Sequence, residues 1–120
     1  MTTLENKSCL PCEGFGARLT PDAVNQQLQN LAQWQAAPDH FSIYKDFTFK
    51  NYHHVMAFVN ALAWVSHHEN HHPDLEVGYN HCLVRYTTHA IHGLSDNDFI
   101  CAAKADALFK PYEEKHHGAK

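Results

Sequence analysis

One long helix and the proline that ends it constrain what this chain can fold into. Residues 51–70, NYHHVMAFVNALAWVSHHEN, place Val55, Phe58, Val59, Leu62 and Val65 on one face at helical spacing, with Asn51 as the N-cap. Pro73 pushes residue 72 out of the helical region, so the helix is expected to end near Asn70. Beyond it the period drops to two. Leu75, Val77 and Tyr79 alternate; after a tight connection at Asn80-His81, Cys82, Val84, Tyr86 and Thr88 alternate against Leu83, Arg85 and Thr87. A helix that hands directly to a hairpin must bury its apolar stripe on the face of a sheet.

The flanking segments complete the pattern. Thr20 caps a first helix that starts at Pro21 and Asp22, with Val24, Leu28 and Leu31 as its stripe. Trp34 falls in a short first strand, and Pro38-Asp39 marks a turn. Phe41 and Ile43, then Phe47 and Phe49, suggest a second strand with a bulge or bend near Tyr44–Asp46. Ser95 with Asp98 three residues on predicts a capping-box start for a last helix bearing Phe99, Ala102, Ala103 and Leu108. The predicted fold is α+β in the order α-β-β-α-β-β-α. It is a two-layer sandwich whose four-stranded antiparallel sheet carries three helices on one face. Residues 1–16 are expected to be a flexible arm, and 17–120 a single domain. Trp64 lies opposite the core stripe of its helix, which suggests a contact with another copy.

Charge and motif content narrow the function. The net charge is −4 and the basic residues are scattered, so no nucleic-acid footprint is expected. No apolar stretch approaches the ~20 residues of a membrane span. MTTLENKSCLPC lacks the apolar core of a signal peptide, and a cytoplasmic location is expected. Cys9 and Cys12 form one C-x-x-C with no second copy, half of a zinc knuckle; a function-free arm is expected, with metal or redox chemistry as the alternative.

Five of the twelve histidines fall between Ser66 and Cys82. His68, Glu69 and His72 spell H-E-x-x-H, the helical zinc-protease signature. That signature needs both histidines on one continuous helical face, plus a third ligand. Pro73 ends the helix where it should continue, so no metal is expected, and His68 and Glu69 are read as solvated. His71 and His72 instead lie in a proline-fixed turn at the mouth of the hairpin, and His89 lies at the end of its return strand. Three imidazoles converging there suit proton transfer near neutral pH.

This constellation resembles the pterin-4a-carbinolamine dehydratase family. The matching residues are His67, His71-His72-Pro73, Tyr79, His89 and Asp98, within a likeness covering about residues 17–110. Many relatives carry Glu at the position of His67 and Asp at that of Asn70. The resemblance implies dehydration of 4a-hydroxytetrahydropterin to quinonoid dihydropterin, with the pterin as substrate and no cofactor. It implies His71, His72 and His89 as catalytic residues. Asn70, Thr87, Thr88 and Trp34 would bind substrate, with His67, Pro73 and Asp98 in support. Asp98 is expected to bond back towards Ser95; a contact with His89 is the lesser alternative. The family context also implies a homo-dimer or homo-tetramer and coupling to phenylalanine hydroxylase. A second possibility is an interaction module, since animal relatives act as dimerisation cofactors by binding a partner helix.

Overall fold

The computed structural model describes residues 3–9 and 17–115. Its main elements are α1 (Pro21–Leu28), β1 (Gln35–Ala36), β2 (Ile43–Thr48), α2 (Tyr52–Glu69), β3 (Asp74–Val77), β4 (His81–Tyr86) and α3 (Asp96–Lys115). Short 3-10 turns cover Leu4–Asn6 and His89–Ile91. The sheet is antiparallel in the order β1-β2-β4-β3, so the two longest strands are central. This is the expected α+β arrangement. No helix among the described residues is long and apolar enough to cross a membrane.

Local chemistry sets the helix ends. The Thr20 and Asn51 side chains accept from the backbone N–H of Ala23 and His54, at 3.2 and 3.0 Å, each satisfying a donor the helix cannot use. At the other end of α2, Asn70 adopts a left-handed conformation with φ 54°. Asn70 N–H then donates to His67 O, and His71 N–H to Ser66 O. This is a Schellman closure, and Asn tolerates its left-handed residue better than most side chains. The closure turns the chain back under the helix, which aims His71 inward.

The core lies between the helices and the inner sheet face. Val55, Phe58 and Leu62 of α2 pack there with Ile43, Phe47, Val84 and Tyr86 of the sheet and Phe99, Ala102 and Ala105 of α3. Each large side chain buried this way contributes about 1.5–3 kcal/mol. On the opposite sheet face, Asp46, Thr48 and Arg85 are exposed or half-buried.

Three expectations are corrected. β2 pairs with β4 in continuous register from Ile43↔Tyr86 to Thr48↔His81, so there is no bulge. Ile43, Lys45, Phe47 and Phe49 share one phase. Lys45 occupies the inward position because its Nζ reaches Asp106 Oδ1 at 2.8 Å while lying over the Phe47 ring. The hairpin turn sits one residue earlier than expected, at Tyr79-Asn80, closed by Gly78 N–H to His81 O at 2.9 Å. A Cβ on Gly78 would run into the His81 ring. Residues 3–9, expected to be loose, are laid along α3: Lys104 Nζ donates to Glu5 O at 2.8 Å, and Leu4 and Cys9 pack on the core. Cys12 lies outside the described residues.

Candidate active site

At the mouth of the hairpin a polar group is buried whole. Asp98 is 0% exposed and His71 7%. His71 Nε2 lies 2.7 Å from Asp98 Oδ1. Asp98 Oδ2 accepts the Ser95 backbone N–H at 2.9 Å and the Thr88 hydroxyl at 2.7 Å. Thr88 has one hydroxyl proton, and it is committed to Asp98. So at the 2.8 Å Thr88–Ser95 contact the Ser95 hydroxyl must be the donor. The Ser95 oxygen in turn accepts from Asn97 N–H at 3.3 Å. The Asp98 oxygens and the Thr88 and Ser95 hydroxyls thus each have a direction assigned.

This network fixes the tautomer of His71. A carboxylate accepts and does not donate, so Nε2 carries the proton that faces Asp98. Nδ1 is left as the nitrogen available for chemistry. The Tyr86 ring stacks on the imidazole, with centroids 6.0 Å apart and planes 11° apart. The Tyr86 hydroxyl is buried with no hydrogen-bond partner among the described residues. Burial pushes that phenol well above its ordinary range, so it stays protonated.

His72 and His89 stand exposed on either side of the buried group. His72 follows His71 directly, and its Nδ1 lies 3.4 Å from Pro73 O. His89 follows Thr88 and opens the 3-10 turn. In chain position the three histidines flank the end of the sheet where β3 begins and β4 stops. Asp98 meets His71; the expected bond from Asp98 to Ser95 is present as well, because its two oxygens serve different partners.

Other candidate residues sit differently. Trp34 is a core residue between Phe47 and Tyr86, and its indole N–H is spent on Asp106 at 3.1 Å. It precedes β1 and is 5% exposed, packed in the core. The Thr88 backbone is already occupied, its N–H donating to Gly93 O at 2.8 Å and its carbonyl accepting from Ile91 at 3.2 Å. Its contribution is the side chain, held on Asp98. The Thr87 hydroxyl donates to Phe41 O at 2.6 Å. Asn70 is exposed at the helix closure, and His67 stacks on Trp64 with centroids 6.0 Å apart.

The H-E-x-x-H geometry does not form. α2 ends at Glu69, so His72 does not share a helical face with His68. Nor is Glu69 solvated: its side chain is 5% exposed, with Lys104 Nζ 3.7 Å away. It accepts the Cys9 N–H at 2.7 Å. Sequence spacing could not have revealed that role, because its partner lies 60 residues away.

Four grooves formed by described residues lie elsewhere. One of about 380 Å³ runs between α2 and α3, lined by Trp64, Val65, His67 and Lys104 among others, and not by His71, His72 or His89. The buried polar network around His71 is therefore not at the floor of that groove.

Residues 17–108 match the family model described as pterin 4 alpha carbinolamine dehydratase. The chain belongs to that family. It is similar to a candidate pterin-4-alpha-carbinolamine dehydratase of Nitrosospira multiformis, 55% identical over 89% of this chain and 93% of the relative. A protein with the same description from Legionella pneumophila is 52% identical over 88% of this chain and 94% of the relative. Among solved structures, the transcriptional coactivator/pterin dehydratase of Brucella melitensis superimposes with a TM-score of 0.73 at 30% identity. That match covers 76% of this chain and 97% of the other. A pterin dehydratase-like protein identified as a RuBisCO assembly factor gives 0.57 at 25% identity, over 65% of this chain and 90% of the other.

Proposed function

We propose that the protein dehydrates a pterin 4a-carbinolamine. The observation that carries this is the buried Ser95–Thr88–Asp98–His71 network, which orients one imidazole beside two exposed ones. Hydroxide is a poor leaving group, so the 4a-oxygen must gain a proton as its C–O bond breaks. The adjacent ring nitrogen supplies the electron pair and a cation develops on the ring. Loss of a nitrogen-bound proton then gives quinonoid dihydropterin and water. One imidazolium donates and one neutral imidazole accepts, each worth about 10²–10⁴-fold.

In this mechanism His71 and His89 transfer protons, His71 through Nδ1, while His72 assists or orients. Asp98 keeps Nε2 of His71 protonated, and Thr88 and Ser95 hold Asp98. Asn70 and Thr87 are proposed to meet the polar edge of the pterin. The pterin is the substrate and no cofactor takes part. The product would return to an aromatic amino acid hydroxylase, in the cytoplasm. Mixing the protein with freshly generated 4a-carbinolamine should speed the rise of quinonoid absorbance well above the spontaneous rate. An unchanged rate at micromolar protein would refute the assignment.

The same reading includes self-association. Trp64 is 76% exposed on α2, beside the groove that α2 forms with α3. An aromatic ring of this size left in water favours a second copy as its cover. Sedimentation at micromolar concentration should show a dimer or tetramer, and Trp64→Ala should weaken it. A single 13.7 kDa species would exclude self-association.

A further inference from the structure

The N-terminal segment is fastened to the helices by groups that the dehydration does not use. Cys9 N–H donates to Glu69 Oε1 at 2.7 Å, at the closing turn of α2. Lys104 bridges from α3, donating to Glu5 O at 2.8 Å and lying 3.7 Å from Glu69 Oε2. Held by these anchors, Cys9 Sγ stands 3.4 Å from Cys101 Sγ, although 92 residues separate them. Cys9 Sγ also lies 3.8 Å from Asn97 O. Cys101 is on α3, one turn beyond Asp98, and is buried. Cys9 is half-buried and so the more accessible of the two.

We propose that Cys9 and Cys101 form a dithiol modification site. A low-molecular-weight disulfide converts them to an intramolecular disulfide that locks residues 3–9 onto α3. The Cys9 thiolate attacks one sulfur of the oxidant and expels the first thiolate, leaving a mixed disulfide on Cys9. Cys101 then gives up its proton, and its sulfur attacks Cys9 Sγ and expels the second. Two protein thiols lose two electrons and two protons, and one oxidant disulfide becomes two thiols. The order follows from access, since an oxidant reaches Cys9 before the buried Cys101. The hydrogen bond with Cys9, together with burial, raises the Cys101 thiol, which also makes it the second to react. Cys82 is set apart: it faces the core from β4, and burial with the nearby Asp46 pushes its thiol up to about 11.

The site makes stability depend on redox state. Closing so long a loop restricts the unfolded chain, so the oxidised protein should melt at a temperature higher by roughly 10 °C. The test treats the full-length protein with oxidised glutathione, alkylates residual thiols and maps the peptides by mass. A Cys9–Cys101 peptide that disappears on reduction is expected, together with the raised melting temperature. Cys82→Ala should keep both the cross-link and the oxidation-dependent rise in melting temperature; Cys101→Ala and Cys9→Ser should each abolish both effects. Cys9→Ser alters only the more accessible member and guards against a folding failure at Cys101. A lasting glutathione adduct on Cys9, a Cys9–Cys12 link or an unreacted pair would each overturn the proposal. So would a cross-link that leaves the melting temperature unchanged.

Discussion

Replacing His71 with alanine should lower the dehydration rate by roughly 10²-fold or more, the scale of one missing general acid or base. Of the three histidines proposed for proton transfer, His71 is the buried one: Asp98 holds Nε2 and Tyr86 covers the ring. The control is His68→Ala. The His68 side chain is 83% exposed and lies 4.0 Å from Glu69, so its loss should change the rate by no more than a fewfold. Steady-state rates corrected for spontaneous dehydration make the comparison. The opposite ranking, with His68 needed and His71 dispensable, would return the chain to the H-E-x-x-H reading and remove the proton-transfer mechanism. Truncating His71 also leaves the Asp98 carboxylate buried with one partner fewer. Part of the effect will therefore register as lower stability, and the melting temperature must be measured beside the rate.

What the sequence disclosed was mostly what is decided within one turn of chain. Asn51, Pro73 and the Ser95–Asp98 pair announced their helix boundaries because caps and proline act on neighbouring backbone groups. The β3–β4 hairpin followed from a change of period that a helix cannot accommodate. Long-range polar pairing was hidden. Lys45 broke the visible apolar alternation of β2, and the misread bulge came from not knowing that Asp106 would meet it. Glu69 looked like an ordinary surface carboxylate because its partners, Cys9 and Lys104, come from distant segments. Trp34 was legible as a large aromatic, but its placement in the core depended on Asp106 taking its N–H. In the site, the three histidines were visible as candidates. The wiring of His71 was not: the capping-box pattern already accounted for Asp98, and nothing in that pattern says that its second oxygen would hold His71.

That second oxygen gives the sharpest test of the mechanism, the substitution Asp98→Asn. The side chain keeps its shape in a fully buried position, so the backbone of α3 has no steric reason to move. The amide oxygen can still accept from Ser95 N–H and the Thr88 hydroxyl, the two donors that face Oδ2. The amide nitrogen then occupies the Oδ1 position and donates, which obliges His71 Nε2 to accept. The imidazole proton is transferred to Nδ1, the nitrogen proposed to work on the pterin. Activity should therefore fall by roughly 10²-fold or more through loss of the correct tautomer. The melting temperature should fall less than in Asp98→Ala, which strips the partner from three donors at once. Each buried donor left unpaired costs about 1–3 kcal/mol, so the alanine variant should be the one with impaired folding. Nitrogen-detected NMR of the His71 ring supplies a readout that rate alone does not: the protonated nitrogen should change from Nε2 in the wild type to Nδ1 in the asparagine variant. Should Asp98→Asn fold, switch the tautomer and retain full turnover, His71 would not be the proton-transfer group, and His72 or His89 would have to carry the chemistry alone.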